Sequence, residues 1–229
     1  MSKTKTYQLY INGQWEDSVS NALDTVYSPT TEEVVGQVQN GNEADALKAL
    51  KAAEAAQKSW RATPPRYRAE LLYKFAQEIK ANADYLAELL VKEQGKLLKV
   101  AKMEVAVTAS FIEYACEDAR RIEGDIIPSD NPGEQIWIQK VPKGVVVAIT
   151  AWNFPLALAG RKLGPALIAG NTLVIKPTEE TPLATLELGY IADKVGIPAG
   201  VLNIVTGPGS TMGNALVQSP ITKMVTMTG

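Results

Sequence analysis

From Lys143 onward the chain alternates between short apolar runs and longer helical patterns, and this alternation restricts the available folds more than any other feature. Residues 145–149 form a continuous run, Val-Val-Val-Ala-Ile, of the kind found in a strand buried on both faces. A helical pattern follows over 155–168, then a strand over 172–175, a helix over 182–195 and a strand over 201–205. Residues 212–218 again read as helix, and 223–227 as a fourth strand. Alternation of this kind predicts a parallel, doubly wound sheet, because parallel neighbours need a crossover and a helix supplies one. Ligands in such sheets bind beyond the carboxyl ends of the strands, which singles out Asn153, Lys176, Gly207 and Gly229.

The first 124 residues read differently. Asn12-Gly13 between residues 7–11 and Gln14-Trp15 is a two-residue hairpin turn, since both residues accept positive φ. Residues 25–27 and 34–38 flank a second turn, Ser28-Pro29-Thr30-Thr31. Asn42 then reads as the N-cap of a helix reaching about Trp60, which Pro64-Pro65 ends. Leu71, Leu72, Phe75 and Ile79 mark a second helix, and Leu86, Leu89 and Leu90 a third. A longer fourth helix carries Val100, Met103, Val107, Phe111 and Tyr114 on one face, with Gly124 as its stop. Residues 125–142 look like a separate two-stranded ribbon around Asn131-Pro132-Gly133, apolar on both faces and in need of another surface. The expected division is 1–124 for N-terminal strands and helices, 125–142 for the ribbon and 143–229 for the Rossmann-like core.

Composition removes several chemistries. The chain has no histidine and a single cysteine, Cys116, so disulfide frameworks and His-based triads are excluded, and no metal site is expected. Net charge is −2 with no basic patch, which argues against nucleic acid as a partner. No run approaches a membrane span and the polar start lacks the apolar core of a signal peptide, so the expected location is the cytoplasm.

Each turn after a strand has two readings. Asn153, before Pro155, either ties down the strand-to-helix turn or points its amide at a bound carbonyl oxygen as an oxyanion donor. Lys176-Pro177-Thr178-Glu179 is either a solvated strand end with capping residues, or a cation and a carboxylate facing an adenosine ribose. A carboxylate there accepts hydrogen bonds from the 2′-hydroxyl and repels a 2′-phosphate, favouring NAD over NADP. Gly207-Pro208-Gly209-Ser210-Thr211-Met212-Gly213 departs from the usual dinucleotide fingerprint in spacing and in following the third strand. Cys116, among Tyr114, Ala115 and Ala119 with no histidine to activate it, reads as a packed small hydrophobe and not as a nucleophile.

Taken together, these strings resemble the aldehyde dehydrogenase superfamily. The resemblance rests on Ala151-Trp152-Asn153-Phe154-Pro155, Gly164-Pro165-Ala166-Leu167 with Gly170-Asn171-Thr172, Lys176-Pro177-Thr178-Glu179, Gly200-Val201-Leu202-Asn203-Ile204-Val205 and the terminal Met227-Thr228-Gly229. Arg161-Lys162 is most similar to the lactaldehyde/glycolaldehyde branch. The resemblance implies a Rossmann-like NAD-binding domain with a protruding oligomerisation ribbon, from an enzyme that oxidises a small hydroxyaldehyde. It makes Asn153 the oxyanion-hole amide, places Lys176, Thr178 and Glu179 at the ribose, and puts Ala151 and Trp152 on the cofactor. Gly209 would lie toward the adenine with Gly213 supporting its turn, while Thr228 and Gly229 begin the turn near the pyrophosphate and nicotinamide. Phe154, Leu158 and Arg161 would line the substrate tunnel, where many relatives carry an aromatic group in place of Arg161, and Lys162 would sit near the active site. The resemblance also implies that the catalytic cysteine and glutamate lie beyond Gly229. The chain alone is therefore expected to be inactive and its sheet to show an open edge. A non-catalytic nucleotide-binding or assembly module, or the same superfamily acting on another aldehyde such as succinic semialdehyde, are the alternatives.

Overall fold

The structure, a computed structural model, describes residues 4–229. Its centre is a six-stranded sheet in the order β11-β8-β9-β10-β2-β3. The parallel strands β8 (Val145–Ile149), β9 (Thr172–Lys176), β10 (Leu202–Ile204) and β11 (Thr222–Met227) fall where the apolar runs predict them. The sheet is nonetheless mixed. The N-terminal hairpin β2 (Leu9–Ile11) and β3 (Gln14–Glu16) joins it, with Tyr10 of β2 opposite Ile204 of β10 in antiparallel register. The Asn12-Gly13 turn has φ of 55° and 70°, as a tight hairpin requires. The short strand β1 (Thr6–Tyr7) runs parallel to β5 (Val34–Gln39), which also pairs with β4 (Leu23–Tyr27), making a separate three-stranded sheet.

Alternation along β8 explains why its run is continuous: both faces are covered. Val145 and Val147 face a cluster with Leu9, Ile11, Val174, Val205, Leu50 and Leu216 beneath helices α1 (Glu43–Ala62) and α7 (Asn214–Gln218). Val146 and Ala148 face the larger cluster with Leu173, Ile175 and the helices α5 (Pro155–Ile168) and α6 (Leu183–Val195). Behind those lie α2 (Pro65–Ala81), α3 (Ala83–Gln94) and α4 (Leu98–Glu117). Asn42 caps α1 through a capping box with Asp45, and Gly95 ends α3 in the left-handed conformation. Residues 4–124 and 143–229 thus share both layers of the core.

The face of α4 that carries Met103, Phe111 and Tyr114 is not its buried one, and Gly124 is not its stop. Met103, Phe111 and Tyr114 are exposed, and the buried face carries Ala101, Glu104, Val105, Thr108, Ala109, Ile112 and Ala115. The reason lies in α5, whose Gly160 and Gly164 share one helical face. A Cβ on Gly160 would lie 2.6 Å from Thr108 Cγ2, and one on Gly164 3.0 Å from Ala115 Cβ. Such close approach favours the small residues of α4 and leaves its large ones outside. The helix also ends at Glu117, followed by a single 3-10 turn to Arg120. Gly124 serves the ribbon instead, since a Cβ there would lie 2.0 Å from the Ile138 carbonyl oxygen.

The ribbon, β6 (Asp125–Pro128) and β7 (Gln135–Ile138), is a two-stranded sheet of its own with every residue exposed. At the other margin β11 is the edge of the main sheet, with Met224, Val225 and Met227 exposed. Among the described residues no helix is long and apolar enough to cross a membrane.

Candidate active site and nucleotide cleft

The carboxyl ends of the parallel strands bring four turns to one margin of the sheet, and the packing treats them differently. After β8, Asn153 is exposed, and α5 begins behind Phe154 with no side-chain cap from its own turn. The first N–H groups of α5 are capped from α4. Leu156 and Ala157 N–H donate to Glu104 Oε1 at 2.9 and 3.2 Å. Lys96 pairs with the other carboxylate oxygen, and its ammonium donates to the Asn153 carbonyl at 2.9 Å. Asn153 therefore does not tie down the turn. The Trp152 side chain is exposed, and its carbonyl accepts a hydrogen bond from Thr181 Oγ1 at 3.3 Å.

The second helix is capped in the same way. Leu183 and Ala184 N–H donate to the two oxygens of Glu93 on α3, at 2.7 and 2.9 Å. Burial without a counter-ion in hydrogen-bonding contact pushes the Glu93 carboxyl up to about 8. Two helix N-termini that would ordinarily attract an anion are thus already filled by protein carboxyl groups.

The third turn is open. Gly207 faces no ligand, because a Cβ there would lie 2.3 Å from the Gly41 carbonyl oxygen, where residues 39–41 cross the end of β10. Gly209 differs: among the described residues the only heavy atom within 4 Å of a Cβ there is Glu179 Oε1, at 4.0 Å. Gly209 N–H donates to that same oxygen at 2.6 Å, and Lys176 Nζ lies 3.3 Å from it. Lys176 is not the solvated strand end that one reading allows. Its side chain is buried, and desolvation lowers its ammonium pKa while Glu179 opposes the shift. Gly213 packs on its stem, a Cβ there lying 3.8 Å from Lys176 Cδ, and Thr178 Oγ1 accepts from Glu180 N–H at 3.5 Å. A bare backbone beside an ion-paired carboxylate, at the end of a parallel strand, fits the nucleoside half of a dinucleotide.

The fourth turn meets α5. Lys162 Nζ donates to Thr228 Oγ1 at 2.7 Å, and burial lowers the Lys162 pKa, with Arg161 adding to the effect. Arg161, Lys162, Met227 and Thr228 line a cavity of about 450 Å³ between α5 and β11. The Arg161 guanidinium lies 5.7 Å from the centre of the Phe111 ring. Leu158 is buried on the same helix. Cys116 belongs to none of this. It is buried beside Tyr73 and Glu117, and desolvation pushes its thiol up to about 12, the opposite of what a nucleophile requires.

Sequence reasoning passed over Lys96, Glu104 and Glu93. The one signal for Glu104 is a charged residue on a stripe of small and apolar ones, Ala101, Val105, Thr108 and Ile112. Nothing near Glu93 points to the helix it caps, some ninety residues later.

An open α/β sheet with its strand-end turns gathered at one margin is a frame that places ligands beyond the carboxyl ends of its strands. The model of the aldehyde dehydrogenase family matches residues 15–229, and the chain belongs to that family. It is 64% identical over 225 residues to the 3,6-anhydro-alpha-L-galactose dehydrogenase of Vibrio sp. (strain EJY3), covering 98% of this chain and 47% of that protein. It is 44% identical over 229 residues to the lactaldehyde dehydrogenase of Escherichia coli (strain K12), covering 100% and 48%. A solved 3,6-anhydro-L-galactose dehydrogenase in complex with NAP, the NADP nucleotide, superposes with a TM-score of 0.96 at 62% identity, over 97% of this chain and 47% of that one. The chain spans about half the length of the curated relatives it matches.

Proposed function

We propose that the chain forms the nucleotide-binding half of an enzyme that oxidises a small hydroxyaldehyde to the carboxylic acid. The observation that carries the reading is the gathering of the Asn153 amide, the Lys176–Glu179–Gly209 cluster and the Lys162–Thr228 contact at one margin of the sheet. When bound, the nicotinamide ring supplies the hydride acceptor. The Asn153 amide donates to the carbonyl oxygen of the aldehyde, where negative charge develops on attack. Lys176, Thr178 and Glu179 hold the ribose, with Gly209 and Gly213 shaping the adenine side and Ala151, Trp152, Thr228 and Gly229 framing the rest. Phe154, Leu158, Arg161 and Lys162 face the substrate. NAD is the nucleotide we propose, because the Glu179 carboxylate opposes a 2′-phosphate. The relative solved with NAP makes this the sharper question.

Two relatives, named for an anhydro sugar and for lactaldehyde, support a hydroxylated substrate. A second reading has its own observation. Arg161 makes no ion pair among the described residues, and relatives 42–43% identical are named for glutarate and succinate semialdehydes, whose carboxylate an arginine could hold. The exposed apolar ribbon supports assembly with further copies of the chain, and the reading carries a cytoplasmic location.

The test is nucleotide reduction by the full-length polypeptide with lactaldehyde, glycolaldehyde and succinic semialdehyde, using NAD and NADP in turn. We expect turnover of the hydroxyaldehydes with NAD, and none by residues 1–229 alone, whose one thiol is buried. Arg161→Leu should lower kcat/KM for the preferred aldehyde about tenfold to a hundredfold, the worth of a charged hydrogen bond. Wild-type protein that reduces neither nucleotide with any of these aldehydes would refute the reading.

A further inference from the structure

A buried ion pair lies beneath the turn that carries Asn153, and the reaction proposed above leaves it without a task. Glu104 is fully buried and the Lys96 side chain is 7% exposed. Such pairs are poor sources of stability, because desolvating two charges offsets most of their attraction. What distinguishes this one is its reach. Glu104 holds the N–H groups of Leu156 and Ala157, while Lys96 holds the Asn153 carbonyl and lies 4.3 Å from the centre of the Phe154 ring. Together they grip residues 153, 154, 156 and 157.

The turn needs this support. Phe154 has φ −139° and ψ 63°, outside both the helical and the strand regions, and no side chain of the turn caps α5. Fixing the Asn153 carbonyl also fixes the Asn153–Phe154 peptide plane and so narrows the range through which the Asn153 side chain can swing. Capping the helix requires only Glu104. The contact from Lys96 to Asn153 is what a cap does not explain.

We propose that Lys96 and Glu104 are positioning residues that hold the Asn153–Phe154 turn so that the Asn153 amide meets the aldehyde oxygen. The inference rests on the functional reading above, and its experiment separates the two. In the full-length polypeptide, Lys96→Met should lower kcat about tenfold to a hundredfold, the cost of misplacing a catalytic group by about an ångström. The dissociation constant of the nucleotide should change less than about twofold, because the ribose cluster lies on other turns. Lys96→Arg, which keeps donors for both oxygens, should recover most of the loss. The double variant Lys96→Met/Glu104→Gln removes both charges and leaves an acceptor for the two N–H groups. It should melt near the wild-type temperature and still turn over slowly. A double variant with wild-type kcat overturns the proposal, and so does a loss in Lys96→Met that Lys96→Arg fails to recover.

If the wild-type polypeptide oxidises no aldehyde, the functional reading falls and hydrogen exchange tests the positioning. Lys96→Met should speed exchange of the Leu156 and Ala157 amides by about tenfold or more while β8 keeps its protection. Unchanged exchange at those residues refutes it.

Discussion

Two kinds of strand-end turn stand side by side in this molecule. After β8 and β9 the helix N-termini are closed by buried glutamates from α4 and α3, whereas after β10 the glycine turn stays open beside a half-exposed carboxylate. The closed turns also differ from each other. Glu104 has Lys96 as a counter-ion, while Glu93 has only the two N–H groups and burial has raised its pKa. The contrast separates scaffold from site. Where buried carboxyl groups fill the helix ends, an anionic ligand is kept out, and the surface left for it is bare backbone.

That contrast can be broken in graded steps. Glu104→Ala has the largest expected effect. It orphans two helix N–H groups and leaves the Lys96 ammonium buried without its partner, at about 3–5 kcal/mol. Urea unfolding should show it, and a loss below about 1 kcal/mol would mean that water replaces the carboxylate at little cost.

Glu93 should respond to pH and not only to deletion. Its folded-state pKa of about 8 lies above the ordinary 4.5, so between those values the folded chain holds a proton that the unfolded chain has released. Its contribution is therefore complete below pH 4.5 and lost as pH rises through 8, with a slope of at most about 1.4 kcal/mol per pH unit. Glu93→Gln should flatten the fall in stability across that window, and an unchanged slope would place the titration elsewhere.

The glycine turn supplies the smaller effects. Gly207→Ala drives a methyl group into the Gly41 carbonyl and should cost about 1–3 kcal/mol. Gly209→Ala meets no such obstacle and should stay within about 0.5 kcal/mol of wild type. It should nonetheless weaken nucleotide binding, measurable by calorimetry. Equal stability losses at the two positions would erase the distinction between a packing glycine and a ligand-facing one.

The strand–helix order of residues 143–229, the Asn12-Gly13 hairpin and the Asn42 cap were legible in the sequence, because each rests on neighbours within one turn or one pleat. The strings at 151–155, 164–167 with 170–172, 176–179, 200–205 and 227–229 together identified the family, and those at 151–155, 176–179 and 227–229 lie at one margin of the sheet. What the sequence left undetermined depends on contacts between distant elements. The choice of buried face on α4 was decided by Gly160 and Gly164 of another helix. The hairpin's place beside β10 follows from long-range pairing, and the role of Gly207 follows from a backbone crossing at Gly41. The caps of α5 and α6 come from residues about fifty and ninety positions earlier in the chain. Periodicity and turn chemistry act over a few residues and so can be read along a chain. The pairing of a buried charge with a helix end requires two remote segments to be brought together, and only the packed structure does that.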